Sequence, residues 1–223
     1  MITCNNVSLT KEGRDVLQNI TVQLEARRIG IIGHNGSGKT TFTKMLNGLE
    51  KPTSGEVQVF DDQGKVLNNN ENVGFVFQNP DNQIIFPIVE EDIAFGLQQS
   101  NVSKAEIAQK VDDILARFQL SSLKTRMTHQ LSGGEKQLIA MMGVLVMQPE
   151  YIVLDEPTTL LDLKNRLNLI NILKELDEKL IIVSHDLELM EQMDQVVLFN
   201  QGRIIEIGEP TTVIEKYKEI SLC

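Results

Sequence analysis

The densest chemistry in the chain lies in Gly33-His34-Asn35-Gly36-Ser37-Gly38-Lys39-Thr40, with Thr41 directly behind it. The spacing fits G-x-x-x-x-G-K-[ST], a loop that grips phosphate. Glycines let such a loop turn tightly and aim its backbone N–H groups inward. A helix starting at its end adds unpaired N–H groups and the positive end of a dipole. In that setting Lys39 reaches the β- and γ-phosphates of a nucleotide, and the Thr40 hydroxyl binds Mg²⁺.

Two further clusters carry matching chemistry. Tyr151-Ile152-Val153-Leu154 is an apolar run that ends in Asp155-Glu156. At the carboxyl edge of a sheet, Asp155 is placed to hold Mg²⁺ directly or through water. Glu156 is placed to take a proton from an attacking water. Leu131-Ser132-Gly133-Gly134-Glu135 opens a predicted helix, and its two glycines leave N–H groups free for a second phosphate grip. One chain cannot easily apply both grips to one nucleotide. The expected solution is a head-to-tail pair of subunits, each covering the other's nucleotide.

The elements that must position these groups are legible from periodicity. Residues 1–9 and 16–25 read as strands joined by a polar turn, with Ile20, Val22 and Leu24 alternating against polar neighbours. The run at 29–32 is a buried strand, 41–46 begins a helix that Gly48 ends, and 55–60 is an alternating strand. Asn68-Asn69-Asn70 reads as a loop, and 73–77 as a strand stopping at Gln78-Asn79-Pro80. From Val89 to Met147 strand signals fade. Ser103 with Glu106 makes a capping box before Ile107, Val111, Ile114, Leu115 and Phe118, and a second helix is expected over 133–147. The core resumes with strands at 151–154 and 180–183, the latter ending in Ser184-His185-Asp186, and a helix over 163–176 between them. A hairpin through Asn200-Gln201-Gly202 and a last helix over 211–220 complete the chain. The pattern predicts an α/β core interrupted by a helical subdomain.

Composition bounds the partners. The chain has 223 residues, 41% of them hydrophobic, and a net charge of −10, which argues against a general nucleic-acid binder. Cys4 and Cys223 show no metal or redox spacing and read as ordinary thiols. No signal peptide is expected from Met1 to Asn6, and no apolar run approaches the ~20 residues of a membrane helix.

Taken in this order and spacing, the motifs resemble those of the ATP-binding cassette (ABC) ATPases over essentially the whole chain. The resemblance implies a P-loop fold with a RecA-like core, an antiparallel β subdomain and an inserted helical subdomain at about 82–147, all within one ATP-binding domain over 1–223. It implies ATP and Mg²⁺ as cofactors, with Lys39 in the Walker A motif and Asp155 closing Walker B. Gln78 matches the Q-loop glutamine, which contacts Mg²⁺ and water and links the helical subdomain to a membrane partner. Asp162 matches the D-loop aspartate, and His185 matches the switch histidine at the γ-phosphate. Residues Leu131 to Glu135 match the signature, whose Ser132 and Gly134 act on the opposite subunit's nucleotide. The segments Phe77 to Gln83 and Val89 to Gly96 resemble the energy-coupling factor (ECF) group of vitamin and metal importers. Arg27 to Gly33, Thr158 to Leu163 and Ser184 to Leu189 are most similar to its biotin type.

That group implies a second ATPase subunit, a transmembrane coupling (T) subunit and a substrate-binding (S) subunit. It also implies a peripheral position on the cytoplasmic face of the cell membrane, with Phe86, Pro87 and Ile88 lining a groove for a coupling helix. Cobalt, nickel or another vitamin is the alternative cargo, and a soluble ABC ATPase or a non-hydrolysing scaffold the alternative class. No aromatic residue stands between Val7 and Val16 to stack on adenine; Lys11 occupies the matching place. Leu138 replaces a usual basic residue, and the D-loop lacks its common Ser-Ala-Leu-Asp form.

Overall fold

A computed structural model describes residues 1–99 and 102–222, without the side chains of Asn70 and Gln99. Cys223 lies outside the described residues. Cys4 is buried, and burial pushes its thiol up to about 12. The elements are β1 (Ile2–Lys11), β2 (Arg14–Leu24), β3 (Arg28–Gly33), α1 (Lys39–Asn47), β4 (Ser54–Phe60), β5 (Val66–Leu67), α2 (Asn69–Asn72), β6 (Val73–Val76), α3 (Val89–Ala94), α4 (Lys104–Arg117), α5 (Gly133–Leu145), β7 (Tyr151–Asp155), α6 (Leu163–Glu175), β8 (Lys179–Val183), α7 (Leu187–Met190), β9 (Gln195–Asn200), β10 (Arg203–Gly208) and α8 (Pro210–Ser221).

Two sheets form. The smaller has the order β2-β1-β4-β5, and its pairs are antiparallel. Glu12 and Gly13, both at positive φ, close the β1–β2 hairpin. Asn6 and Asn19 also take positive φ where the register slips, so each is a bulge that restores the inward face of its strand. The larger sheet has the order β10-β9-β3-β8-β7-β6. There β3 pairs in parallel with β8 and β9, and β7 with β8. β3, β7 and β8 are buried nearly end to end, as their unbroken apolar runs require of strands covered on both faces.

The chain clusters into two compact units, residues 1–75, 150–156 and 178–223 in the first, and 76–149 and 157–177 in the second. The first unit holds both sheets up to β6, together with α1, α2, α7 and α8. The second is helical. Its α4 begins at the Ser103–Glu106 capping box and buries Val111, Ile114 and Leu115, while Ile107 and Phe118 stay half-buried.

Three local readings change. Residues 68–70 are not a loop: Asn68 O accepts the N–H groups of Glu71 and Asn72, so the asparagine run starts the short helix α2. β5 has no sequence counterpart, because two residues are too few to show a period. β4 does not alternate as its sequence suggests; only Val59 is fully buried. Among the described residues no helix is long and apolar enough to cross a membrane.

Candidate active site

In the first unit, the order β3-β8-β7 sets three strand ends side by side at one sheet edge. They carry the loop 33–40, Ser184-His185, and Asp155-Glu156. The loop needs its glycines. A Cβ at Gly33 would strike the carbonyl of Phe199, the residue opposite it in β9, and Gly38 sits at φ 103 where the helix α1 begins. His34, Asn35 and Gly36 are exposed, Ser37 is buried with its hydroxyl unpaired, and Thr41 follows, half-buried, on α1.

Lys39 is only 6% exposed and curls back over its own loop, with Nζ 2.7 Å from Gly33 O and 3.0 Å from His34 O. Burial pulls its ammonium below the ordinary lysine range, while Glu156 and Asp155 act in the opposite direction. The Thr40 hydroxyl lies 3.0 Å from both oxygens of Asp155. Burial holds the Asp155 carboxyl above its usual range, partly offset by the Thr40 hydrogen bond and by Lys44 and Lys39.

A hydroxyl and a carboxylate at this spacing are hard oxygen donors suited to Mg²⁺. Mg²⁺ is typically held by one or two protein oxygens plus phosphate and water. Among the described residues no cluster of His, Cys, Asp and Glu could hold a metal ion by itself. The residues therefore fit an ion that arrives with a phosphate ligand.

Glu156 is turned out of β7 by a positive φ of 49°, its N–H held by Val183 O at 2.8 Å. Its carboxylate is buried. Oε2 accepts the backbone N–H of His185 at 3.3 Å, and Oε1 lies 3.0 Å from His185 Nε2. The same Nε2 is 2.9 Å from Asn35 Oδ1. The Nε2 ring nitrogen thus lies within 3.0 Å of an oxygen of each neighbour, Glu156 and Asn35. His185 thus links the catalytic-base candidate to the phosphate loop, and this edge brings together Asn35, Lys39, Thr40, Asp155, Glu156 and His185.

The remaining site residues fall in the second unit. Gln78 is exposed after β6, just before a turn of 3₁₀ helix over Pro80–Asn82 that Asn79 caps. Leu131 is buried. Ser132 and Glu135 form a reciprocal capping box at the start of α5: Ser132 Oγ accepts the Glu135 N–H at 3.3 Å, and the Ser132 N–H and hydroxyl reach Glu135 Oε2 at 2.8 Å each. Those bonds hold the Glu135 carboxyl below its ordinary range. Gly133 is exposed. Gly134 is not: a Cβ there would collide with the side chain of Asn165 in the first turn of α6. Asp162 caps that turn, accepting the Asn165 N–H at 2.8 Å. The signature and the D-loop residue therefore meet through Asn165, a residue with no sequence signal of its own.

Phe86 is half-buried against Phe95, ring centroids 5.1 Å apart; Pro87 is exposed, and Ile88 makes a bridge to Met127. Asp92 fixes this turn by accepting the N–H groups of Ile85 and Phe86. Gln83 accepts the Phe77 N–H at its Oε1 at 3.0 Å and donates to Ala140 O at 2.9 Å, bonds that no local pattern announces. Lys11, near the expected place of an adenine-stacking ring, pairs with Glu50 at 2.5 Å. Leu138 is buried inside α5's packing face.

Known proteins resemble this chain in sequence and in fold. A family model described as ABC transporter matches residues 17–159. A putative ABC transporter ATP-binding protein of Bartonella henselae is 48% identical over 204 residues, covering 91% of this chain and 90% of the relative. The biotin transport ATP-binding protein BioM of Rhizobium etli is 46% identical, covering 93% of each. Among solved structures, cbiO1 from Clostridium perfringens, described as part of the ABC transporter complex cbiONQ, superposes with a TM-score of 0.84 at 33% identity, covering 99% of this chain and 94% of that one. The α/β architecture is that of an ABC cassette, and the chain belongs to the ABC transporter family as one of its ATPases.

Proposed function

We propose that this chain is the ATP-hydrolysing motor subunit of an ECF-type importer, and that the cargo is biotin. The observation that carries the hydrolytic part is the meeting of Thr40–Asp155 and Glu156–His185–Asn35 at one sheet edge above the buried Lys39. In this reading residues 33–41 hold the phosphates of ATP, with Lys39 as the charge partner. Thr40, Asp155 and Gln78 hold Mg²⁺, which supplies charge neutralisation at the phosphates when bound. Glu156 takes the proton of the attacking water. His185, whose backbone N–H is accepted by Glu156 Oε2, orients the base, and its ring reaches the γ-phosphate. Leu131 to Glu135 and Asp162 serve the nucleotide of a second copy in a head-to-tail dimer. The helical region at about 82–147 transmits closure to the membrane subunits.

The cargo assignment is supported by the 46% identity to the biotin transport protein of Rhizobium etli. A cobalt or nickel cargo is the competing reading. The partners in this proposal are T and S subunits, and the chain sits peripherally on the cytoplasmic face of the membrane.

The test is ATP-dependent uptake of labelled biotin at low external concentration in cells carrying the whole transporter, with Lys39→Ala as the comparison. Biotin uptake that depends on Lys39 is the expected result. Equal uptake in both, with a metal ion or another vitamin showing the difference instead, would reject biotin and keep the motor.

A further inference from the structure

We infer that Gly202, at the tip of the β9–β10 hairpin, is a positioning residue for the phosphate loop; this rests on the reading that residues 33–41 hold nucleotide. In sequence, Asn200-Gln201-Gly202 is only a hairpin turn, and the two tip residues do take the positive φ values such a turn needs, 47° and 76°. The tip does more than reverse the chain. The Gly202 N–H donates to Ser37 O at 2.9 Å, and Gly202 O accepts the Gln18 N–H at 2.9 Å. The hairpin is therefore pinned between the phosphate loop on one side and β2 on the other.

The bond to Ser37 O acts on the loop's function through the geometry of one peptide unit. Ser37 C=O and Gly38 N–H belong to the same trans peptide, so they point in opposite directions. Holding the carbonyl outward, toward Gly202, turns the Gly38 N–H toward the concave side where phosphate is gripped. Register makes the reach possible: β9 runs parallel to β3 with Phe199 opposite Gly33, so the three residues that follow Phe199 extend alongside the loop.

Both glycines lie against the same stretch of β2. A Cβ at Gly202 would lie 2.5 Å from Val16 O and 3.1 Å from its carbonyl carbon; one at Gly38 would lie 2.7 Å from Leu17 Cδ2 and 3.1 Å from Val16 O. Backbone atoms cannot yield as a flexible side chain can, so any L side chain at Gly202 must shift the tip off β2 and with it the N–H that holds Ser37 O.

The experiment uses the full chain. Gly202→Ala is expected to raise KM for Mg-ATP about tenfold while kcat at saturation stays within about twofold, the pattern of lost uniform binding. Mg-ADP should also raise its Tm much less than it raises that of the wild type. Arg203→Ala, which removes the 2.7 Å bond from Arg203 to Gln18 Oε1 and leaves Gly202 intact, should keep the wild-type KM. If Gly202→Ala lowers Tm but leaves KM and the ADP-induced shift unchanged, the hairpin is only structural and the inference fails. Should Gly202→Ala not fold, amide hydrogen exchange on the wild type decides: a Gly202 N–H exchanging as fast as a free turn amide overturns the assignment, and strong protection supports it. A wild-type chain that shows no Mg-ADP shift at all would instead defeat the nucleotide reading.

Discussion

Replacing Glu156 by Gln strikes the centre of the proposed chemistry while disturbing little else. The side chain is buried, with Oε2 accepting the His185 N–H at 3.3 Å and Oε1 3.0 Å from His185 Nε2. The amide has the same outline and keeps one oxygen to accept from His185. Exchanging a charged acceptor for a neutral one should cost about 1 kcal/mol of stability. It cannot accept a proton. Loss of a positioned base typically slows turnover ~10²–10⁴-fold. At ~1.36 kcal/mol per decade, that is ~2.7–5.4 kcal/mol added to the barrier. Binding groups on α1 and its loop are untouched, so ATP affinity should hold and an ATP-bound dimer should accumulate. Phosphate release at steady state, equilibrium nucleotide binding and size-exclusion chromatography read these three quantities. A folded Glu156→Gln protein turning over within tenfold of wild type would refute the assignment of the base.

Other outcomes follow from the charges and caps. Burial raises the Asp155 pKa, so its contribution to stability is greatest below the unfolded value of ~3.9 and is lost as pH rises through the folded value. Asp155→Asn should therefore raise the Tm of the nucleotide-free protein at pH 7 by a few degrees, ~2–4 °C for each kcal/mol, while hydrolysis collapses. Ser132→Ala should destabilise the chain by about 1 kcal/mol by uncapping α5. Because Glu135 is held low by Ser132, its part of that stabilisation is present above the unfolded pKa of ~4.3 and is lost as pH falls through the folded value, so the mutational difference measured by denaturant melts should shrink in acid. Ser132→Arg and Lys39→Ala, each inactive alone, should recover partial ATPase activity when mixed, since a head-to-tail dimer then has one site with both motifs unmutated. Crosslinks that join the two signature loops to each other and away from both phosphate loops would contradict that geometry.

Short-range rules account for most of what the sequence reveals. The apolar runs at 29–32, 151–154 and 180–183 are long enough to fill strands covered on both faces, and the polar residues that end them mark the site. The Ser103–Glu106 box starts α4 where expected. The same S-x-x-E rule also applies to Ser132 and Glu135. Read that way, the signature would have announced a helix whose Ser132 and Glu135 N–H groups are engaged by its own capping box, in addition to its glycines. Other relations are too distant for any local pattern. Gly202 and Ser37 meet because parallel strands bring remote segments level, and Gly134 is a glycine because Asn165 lies against it. Gln83 bonds across the second unit to Ala140 through an amide that looks like any other polar residue in a turn.

The buried charges explain why so much backbone is committed to this edge. Lys39, Asp155 and Glu156 are all ionisable and almost fully buried, and burial by itself works against the charged forms of Lys39 and Asp155. What opposes it is their mutual placement: the carboxylates raise the lysine's pKa, and the lysine lowers that of Asp155. Glu156 adds backbone strain, since a non-glycine residue at φ 49° typically costs ~1–3 kcal/mol. Its N–H bond to Val183 O at 2.8 Å, anchored in the buried strand β8, holds it there. The strain turns the carboxylate off the line of β7 and onto His185. A loop alone could not keep these groups in place against burial and strain; three parallel strands fixed on both faces can, so the charge and dipole pattern is set before a nucleotide binds.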